Sequence, residues 1–129
     1  MYTVNNTNII ITKNNNGELC VTPFVQDSET EYILTGEDKL ILTVKSNPNS
    51  NRVILKKELT ALNYDENDKL IFKFTPTDTY NLEPYHYCYD VVLYTSEGEF
   101  YTIIDMSEFK ILPSITEYPV ESTEGGAGE

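Results

Sequence analysis

A chain of 129 residues with 40 % hydrophobic side chains can bury one core and leaves no room for a second. Nine Lys and Arg against 21 Asp and Glu set the formal net charge at -12; that charge repels phosphate backbones and anionic headgroups, so neither nucleic acid nor a membrane surface is an expected partner. No apolar run approaches the roughly 20 residues that cross a bilayer, and the opening MYTVNNTNIIITK lacks the basic and apolar regions of a signal peptide, so synthesis and folding in the cytoplasm are expected.

Strand-length apolar runs recur along the chain, bounded by clusters of Asn, Gly, Asp, Pro or Ser. NIIITK (8–13) and ELCVTPFV (18–25) come first, separated by the turn composition KNNNGE, with EYIL (31–34) as a short additional strand. KLILTVK (39–45), RVILKKEL (52–59) and KLIFKFT (69–75) follow, with SNPNSN and NYDEND between them. PTDTYN reads as one helical turn, because Pro76 and Asp78 suit a helix start. HYCYDVVLYT (86–95) and EFYTIID (99–105) form a hairpin around TSEGE, and EFKIL (108–112) closes the series. Seven to nine strands at short spacing, with no capped segment of helical period, predict an all-β protein, an antiparallel β-sandwich over residues 1–112. PSITEYPVESTEGGAGE (113–129), with two prolines, three glycines and four glutamates, is expected to be a flexible acidic tail.

In a regular strand over 86–95, Tyr87, Tyr89, Val91 and Leu93 share one face, and His86, Cys88, Asp90, Val92 and Tyr94 the other. The first set is the better core. Leu82-Glu83-Pro84 ahead of Tyr87 resembles a tyrosine corner, in which the phenol hydrogen-bonds back to the preceding loop, so Tyr87 takes a structural role. In antibody domains that tyrosine stands two residues before a bridged cysteine and both point inward. Here Tyr87 and Cys88 are adjacent and point apart, so Cys20 and Cys88 are expected as free thiols.

The same alternation fills the core with Leu40, Leu42, Val44, Val53, Leu55, Leu70, Phe72, Phe74, Tyr87, Tyr89, Val91, Leu93, Phe100 and Ile104. The opposite faces then carry Ile41, Ile54, Ile71, Val92, Tyr94, Tyr101 and Ile103. If some of these adjoin, they form an apolar patch for self-association or for a partner protein; the alternative is β-branched residues scattered singly over outer faces because they suit strands.

Residues that carry chemistry are sparse. The single histidine, His86, cannot supply a catalytic triad or a multi-histidine metal site. Asp65-Glu66-Asn67-Asp68 has calcium-loop spacing, but Leu70 replaces the required glycine and Pro76 the bidentate glutamate, so a solvated turn is expected. With no nucleophile elbow, phosphate loop or Cys-x-x-Cys, neither an enzyme nor a bound cofactor or metal is expected. Asn5-Asn6-Thr7 matches a glycosylation acceptor but is idle without secretion.

ITK (11–13), YILTGEDKLILTVK (32–45), KKEL (56–59), FTPTDTYNLEP (74–84) and YCYDVVLYTSEGEFYTI (87–103) together resemble the N-terminal domain of phage baseplate upper proteins. The resemblance spans most of residues 9–112 and implies an immunoglobulin-like β-sandwich in the virion of a phage or prophage, assembled in the bacterial cytoplasm. It further implies a non-enzymatic structural role, docking to other tail or baseplate proteins or to copies of itself. Asn14-Asn15-Asn16-Gly17 departs from that family's Gly-Asp, which leaves the first turn outside the resemblance; with a single domain and no distal receptor-binding portion in this sequence, a small accessory or adaptor protein is expected over a receptor binder. A carbohydrate-binding or adhesion module is the other expectation, since ten tyrosines offer stacking platforms for a glycan.

Overall fold

Where Val, Ile, Leu and Tyr alternate with polar residues, the backbone is extended and paired. The computed structural model describes residues 8–25 and 29–116. Its strands are β1 (Ile9–Thr12), β2 (Gly17–Val21), β3 (Lys39–Lys45), β4 (Val53–Thr60), β5 (Leu70–Phe74), β6 (His86–Tyr94) and β7 (Phe100–Leu112). A five-stranded sheet has the order β1-β7-β6-β3-β4, and β2 and β5 form a second sheet. The larger sheet is mixed, not wholly antiparallel as expected, because β1 runs parallel to β7 with Ile9 opposite Phe109.

Three element boundaries differ from the sequence reading. The strand expected over 18–25 stops at Val21, since Pro23 has no N–H for a ladder; Phe24 and Glu31 form an isolated bridge where a strand over 31–34 was expected. The two strands expected over 99–105 and 108–112 are one, the 13-residue β7. The proposed glycosylation acceptor at 5–7 and most of the proposed acidic tail, residues 117–129, lie outside the described residues.

The core lies between the sheets. Leu40, Leu42, Val44 and Val91 are fully buried, and Leu70, Phe72 and Phe74 face them from β5. Burying each of these side chains is worth about 1.5–3 kcal/mol. Phe109, which the sequence reading left out of the core, is fully buried, edge-on to Phe74 (ring centroids 5.5 Å apart) and to Tyr89 (6.1 Å).

Two bulged regions reverse the expected side-chain faces. In β4, Val44 pairs with Leu55 but Lys45 with Val53, so Ile54 is the extra residue. Val53, expected in the core, is exposed, and Ile54, expected outside, packs against the core. Between β6 and β7 the register shifts twice: Val91 pairs with Ile104, Val92 with Thr102 and Tyr94 with Phe100. An extra residue flips the pleat. Phe100, expected in the core, is therefore 66 % exposed, whereas Ile103, expected outside, is buried beside Ile104.

The β4–β5 turn is closed by Asp65, whose Oδ1 accepts the N–H groups of Asn67 and Lys69 at 2.8 and 2.9 Å. The helical turn α1 (Pro76–Thr79) opens with the Thr75 N–H donating to Asp78 Oδ2 at 2.8 Å. Lys57 of β4 pairs with that carboxylate at 2.9 Å and lies over the Phe74 ring, fastening α1 to the sheet edge. Among the described residues no helix is long and apolar enough to cross a membrane.

Candidate functional site

The β6–β7 turn is held from within and from across the sandwich. Thr95 donates its N–H to the Glu99 carbonyl (2.8 Å) and its Oγ1 accepts the Glu99 N–H (3.0 Å), while Gly98 supplies the positive φ of 87° that the turn requires. The loop before β3 is bound to this turn through Asp38, which is only 2 % exposed. Its Oδ1 accepts the Ser96 N–H at 2.7 Å and the Ser96 hydroxyl at 2.9 Å; its Oδ2 accepts the Tyr32 hydroxyl at 2.7 Å and the Thr35 N–H at 3.0 Å. Glu37 adds an N–H bond to Ser96 Oγ at 2.8 Å.

These bonds decide the electrostatics. Burial on its own pushes the Asp38 carboxyl upward, but the donors from Thr35, Tyr32 and Ser96 outweigh it and hold the group down to about 2. The Tyr32 phenol is pushed up to about 12, chiefly by its bond to Asp38, then by burial and by the charges of Asp38, Glu97 and Glu99. With four donors on two oxygens, Asp38 is a clamp and not a free base. Nothing in LTGEDKL marks this from sequence, because a Gly-Glu-Asp segment before a strand reads as a solvated turn.

Two grooves flank the clamped hairpin. The first, about 690 Å³, is lined by Phe24, Tyr32, Leu93, Glu97 and Glu99 and by the consecutive residues Phe100, Tyr101, Thr102 and Ile103. Neighbours in a strand point to opposite faces, so a groove touched by all four runs along the edge of β7. The second, about 430 Å³, lies on the outer face of the sheet, where Ile41, Val92, Phe100 and Met106 surround Lys45 and Asp90. Asp90 is half-buried; burial raises its carboxyl, Lys45 lowers it and Asp105 raises it, with the net direction upward. Phe100 lines both grooves, and its ring meets that of Tyr94 edge-on at 6.4 Å.

The structure therefore divides the expected interface residues. Ile41 and Val92 share the outer groove, with Val92 only 6 % exposed, while Tyr94 is exposed and lines neither groove, its ring meeting that of Phe100. Tyr101 and Ile103 line the edge groove, Tyr101 exposed and Ile103 buried. Ile54 packs against the core, and Ile71 lies opposite Cys20 on the other sheet. One continuous patch of all seven does not exist. Phe100 and Met106 are both well exposed; Phe100 was missed as a surface residue because the bulge was not visible in the sequence, and Met106 because it fell between two strands that are one.

The remaining singled-out residues lie elsewhere. The Tyr87 hydroxyl donates to the Glu83 carbonyl at 2.9 Å. His86 pairs with Glu108 across β6 and β7. Cys20 and Cys88 are free thiols on opposite sheets. Among the described residues no three His, Cys, Asp or Glu side chains are placed to hold a metal ion. Comparison with protein-family models, curated proteins and solved structures gives no match. What the hairpin end offers chemically is binding: an aromatic rim, an apolar floor and acidic side chains on a braced turn.

Proposed function

We propose that the protein is a non-enzymatic docking or adaptor module that joins components of a larger assembly. A phage or prophage tail or baseplate is the assembly its short motifs resemble. The observation that carries this reading is Phe100, a large aromatic side chain exposed to 66 % on a clamped hairpin and lining two grooves at once. Such a residue has the features of an interface anchor, since aromatic side chains in preorganised pockets carry much of the binding energy between proteins. Tyr94, Tyr101 and Met106 extend the exposed surface around it.

Photo-crosslinking in cells that assemble the particle tests the reading. A crosslinker in place of Phe100 is expected to capture one defined particle component, and one in place of Asn51, exposed in the β3–β4 turn at the far end of the sheet, is expected to capture none. Equal capture from both positions, or none from position 100, overturns it.

A carbohydrate-binding module is the second reading, favoured by three exposed aromatic side chains, Tyr94, Phe100 and Tyr101, near the hairpin end. The edge-on Tyr94–Phe100 pair, at 67°, offers no shared flat platform for a sugar ring, which places this reading second. Glycan-array binding lost on Tyr101→Ala would promote it; an array without signal would remove it.

A further inference from the structure

We propose that the groove beside β7 receives an extended, lysine- or arginine-bearing segment of a partner protein, added to the sheet as a new strand along Phe100–Met106. This rests on the docking reading of the hairpin end and adds the mode of binding and the chemistry of the partner. Among the described residues, β1 pairs with the outer edge of β7 from Phe109 to Leu112, and Asn8 accepts the Glu108 N–H just before it. No described residue pairs with β7 between Phe100 and Met106 on the side away from β6. An antiparallel ladder alternates bonded and non-bonded pairs. Thr95 is bonded to Glu99, so Tyr94–Phe100 and Val92–Thr102 are non-bonded pairs, and the amides of Phe100 and Thr102 point toward the open edge. Open edges with outward amides are templates for strand addition.

Charge selects the occupant. Among the described residues, every ionised side chain that lines the edge groove is acidic: Asp38, Glu97 and Glu99, with no Lys or Arg. Asp38 is saturated by its own donors, which leaves Glu97 and Glu99 to attract a cation, and Asp105 stands exposed farther along the same strand. The exposed Tyr101 phenol is held above its ordinary value first by the charge of Glu99 and then by its bond to it, as a negative environment requires. Tyr101, exposed in the groove lining, supplies an aromatic ring for an alkylammonium or guanidinium. A second copy of this chain is a poor occupant, because each copy carries a net charge of -12.

The test is a titration of the full chain with a short synthetic peptide that alternates lysine with valine, and with its glutamate counterpart. The lysine peptide is expected to bind and to weaken as salt screens the contact, the glutamate peptide not to bind. Thr102→Pro, which removes one outward amide, is expected to weaken binding about tenfold or more, and the double variant Glu97→Lys, Glu99→Lys to abolish the preference for lysine. Amide exchange at Phe100 and Thr102 is expected to be fast in the free protein and slowed by the peptide. Binding that ignores peptide charge, or that survives Thr102→Pro in a protein that keeps its far-UV spectrum, overturns the proposal. So does protection of these amides without peptide, which would show the edge already covered by this chain, or a dimer that Thr102→Pro dissolves. Crosslinking from position 100 to a particle component, together with failure of the lysine peptide, overturns strand addition while the docking reading stands.

Discussion

Asp38 accepts the Ser96 amide at 2.7 Å across 58 residues of sequence, and this bond joins the loop before β3 to the turn that presents Phe100. The same carboxylate holds Tyr32 and Thr35, so one buried group sets the geometry of the whole hairpin end.

Replacing Asp38 with Ala leaves the Ser96 and Thr35 amides without their acceptor. The expected cost is about 3 kcal/mol, because each is a bond to a charged group in a buried site. For a domain of this size that lowers Tm by about 10 °C. The carboxyl titrates at about 2 in the folded protein against an ordinary 3.8, so the folded state binds the proton less tightly than the unfolded chain. Its contribution is complete above about pH 4 and is lost as pH falls through about 2. Urea unfolding of the parent and Asp38→Ala should show a stability gap at neutral pH that narrows on acidification; a gap independent of pH would refute the clamp.

Tyr32→Phe removes one donor to Asp38 and is expected to cost about 1–2 kcal/mol. It also raises the Asp38 carboxyl, so the acid unfolding midpoint moves to higher pH. At the alkaline end the sign is opposite. The folded-state value of about 12 lies above the ordinary 10, so stability from Tyr32 is complete below pH 10 and lost as pH rises through 12. The variant should lack that alkaline loss, which denaturant melts across the range will report.

Gly36 and Gly98 both have positive φ, 58° and 87°, yet they should respond differently to alanine. A Cβ at Gly36 would stand 3.1 Å from Ser96 Oγ, the hydroxyl that bonds Asp38, while one at Gly98 meets nothing within 4 Å. Gly98→Ala is expected to cost about 1 kcal/mol from backbone strain alone. Gly36→Ala should cost more and also weaken any ligand of the edge groove. Equal melting temperatures for the two variants would contradict this.

Tyr87→Phe removes only the hydroxyl that donates to the Glu83 carbonyl at 2.9 Å, leaving the buried ring in place. A loss of about 1 kcal/mol is expected, read as a drop in Tm of about 4 °C. An unchanged Tm would remove the structural role from the hydroxyl.

Lysine at Val92 and at Ile71 separates burial from docking. Val92 is 6 % exposed on the outer face, so Val92→Lys should destabilise the fold itself by about 2 kcal/mol through burial of a charge. Ile71, half-buried on the other sheet, should accept lysine with a smaller loss and no effect on docking at the hairpin. A reduction in crosslinking from position 100 caused by Ile71→Lys would move the interface to the second sheet.

Most strand positions, the 86–105 hairpin, the helical turn at Pro76 and the inward set Tyr87, Tyr89, Val91 and Leu93 were legible in the sequence, while the end of β2 and the continuity of β7 were not. Each legible feature depends on local signals: a period of two, turn residues between runs, and Pro followed by Asp. The candidate site was legible only in part. Tyr94 and Tyr101 were recognised as surface residues, while Phe100, Met106 and Asp38 were not.

Alternation along a strand determines which residues share a face only while the register is unbroken. At Ile54 and again around Ile103, one inserted residue exchanges the two faces, and no residue in RVILKKEL or EFYTIID marks the insertion, since an apolar residue stands on both parities. Composition and periodicity thus determined an all-β chain with a core of alternating apolar residues. Tertiary structure alone decided which of those residues water sees, because bulge placement depends on the neighbouring strand. It also decided that an aspartate in a turn-like segment would be buried, because its four donors come from residues up to 58 positions away.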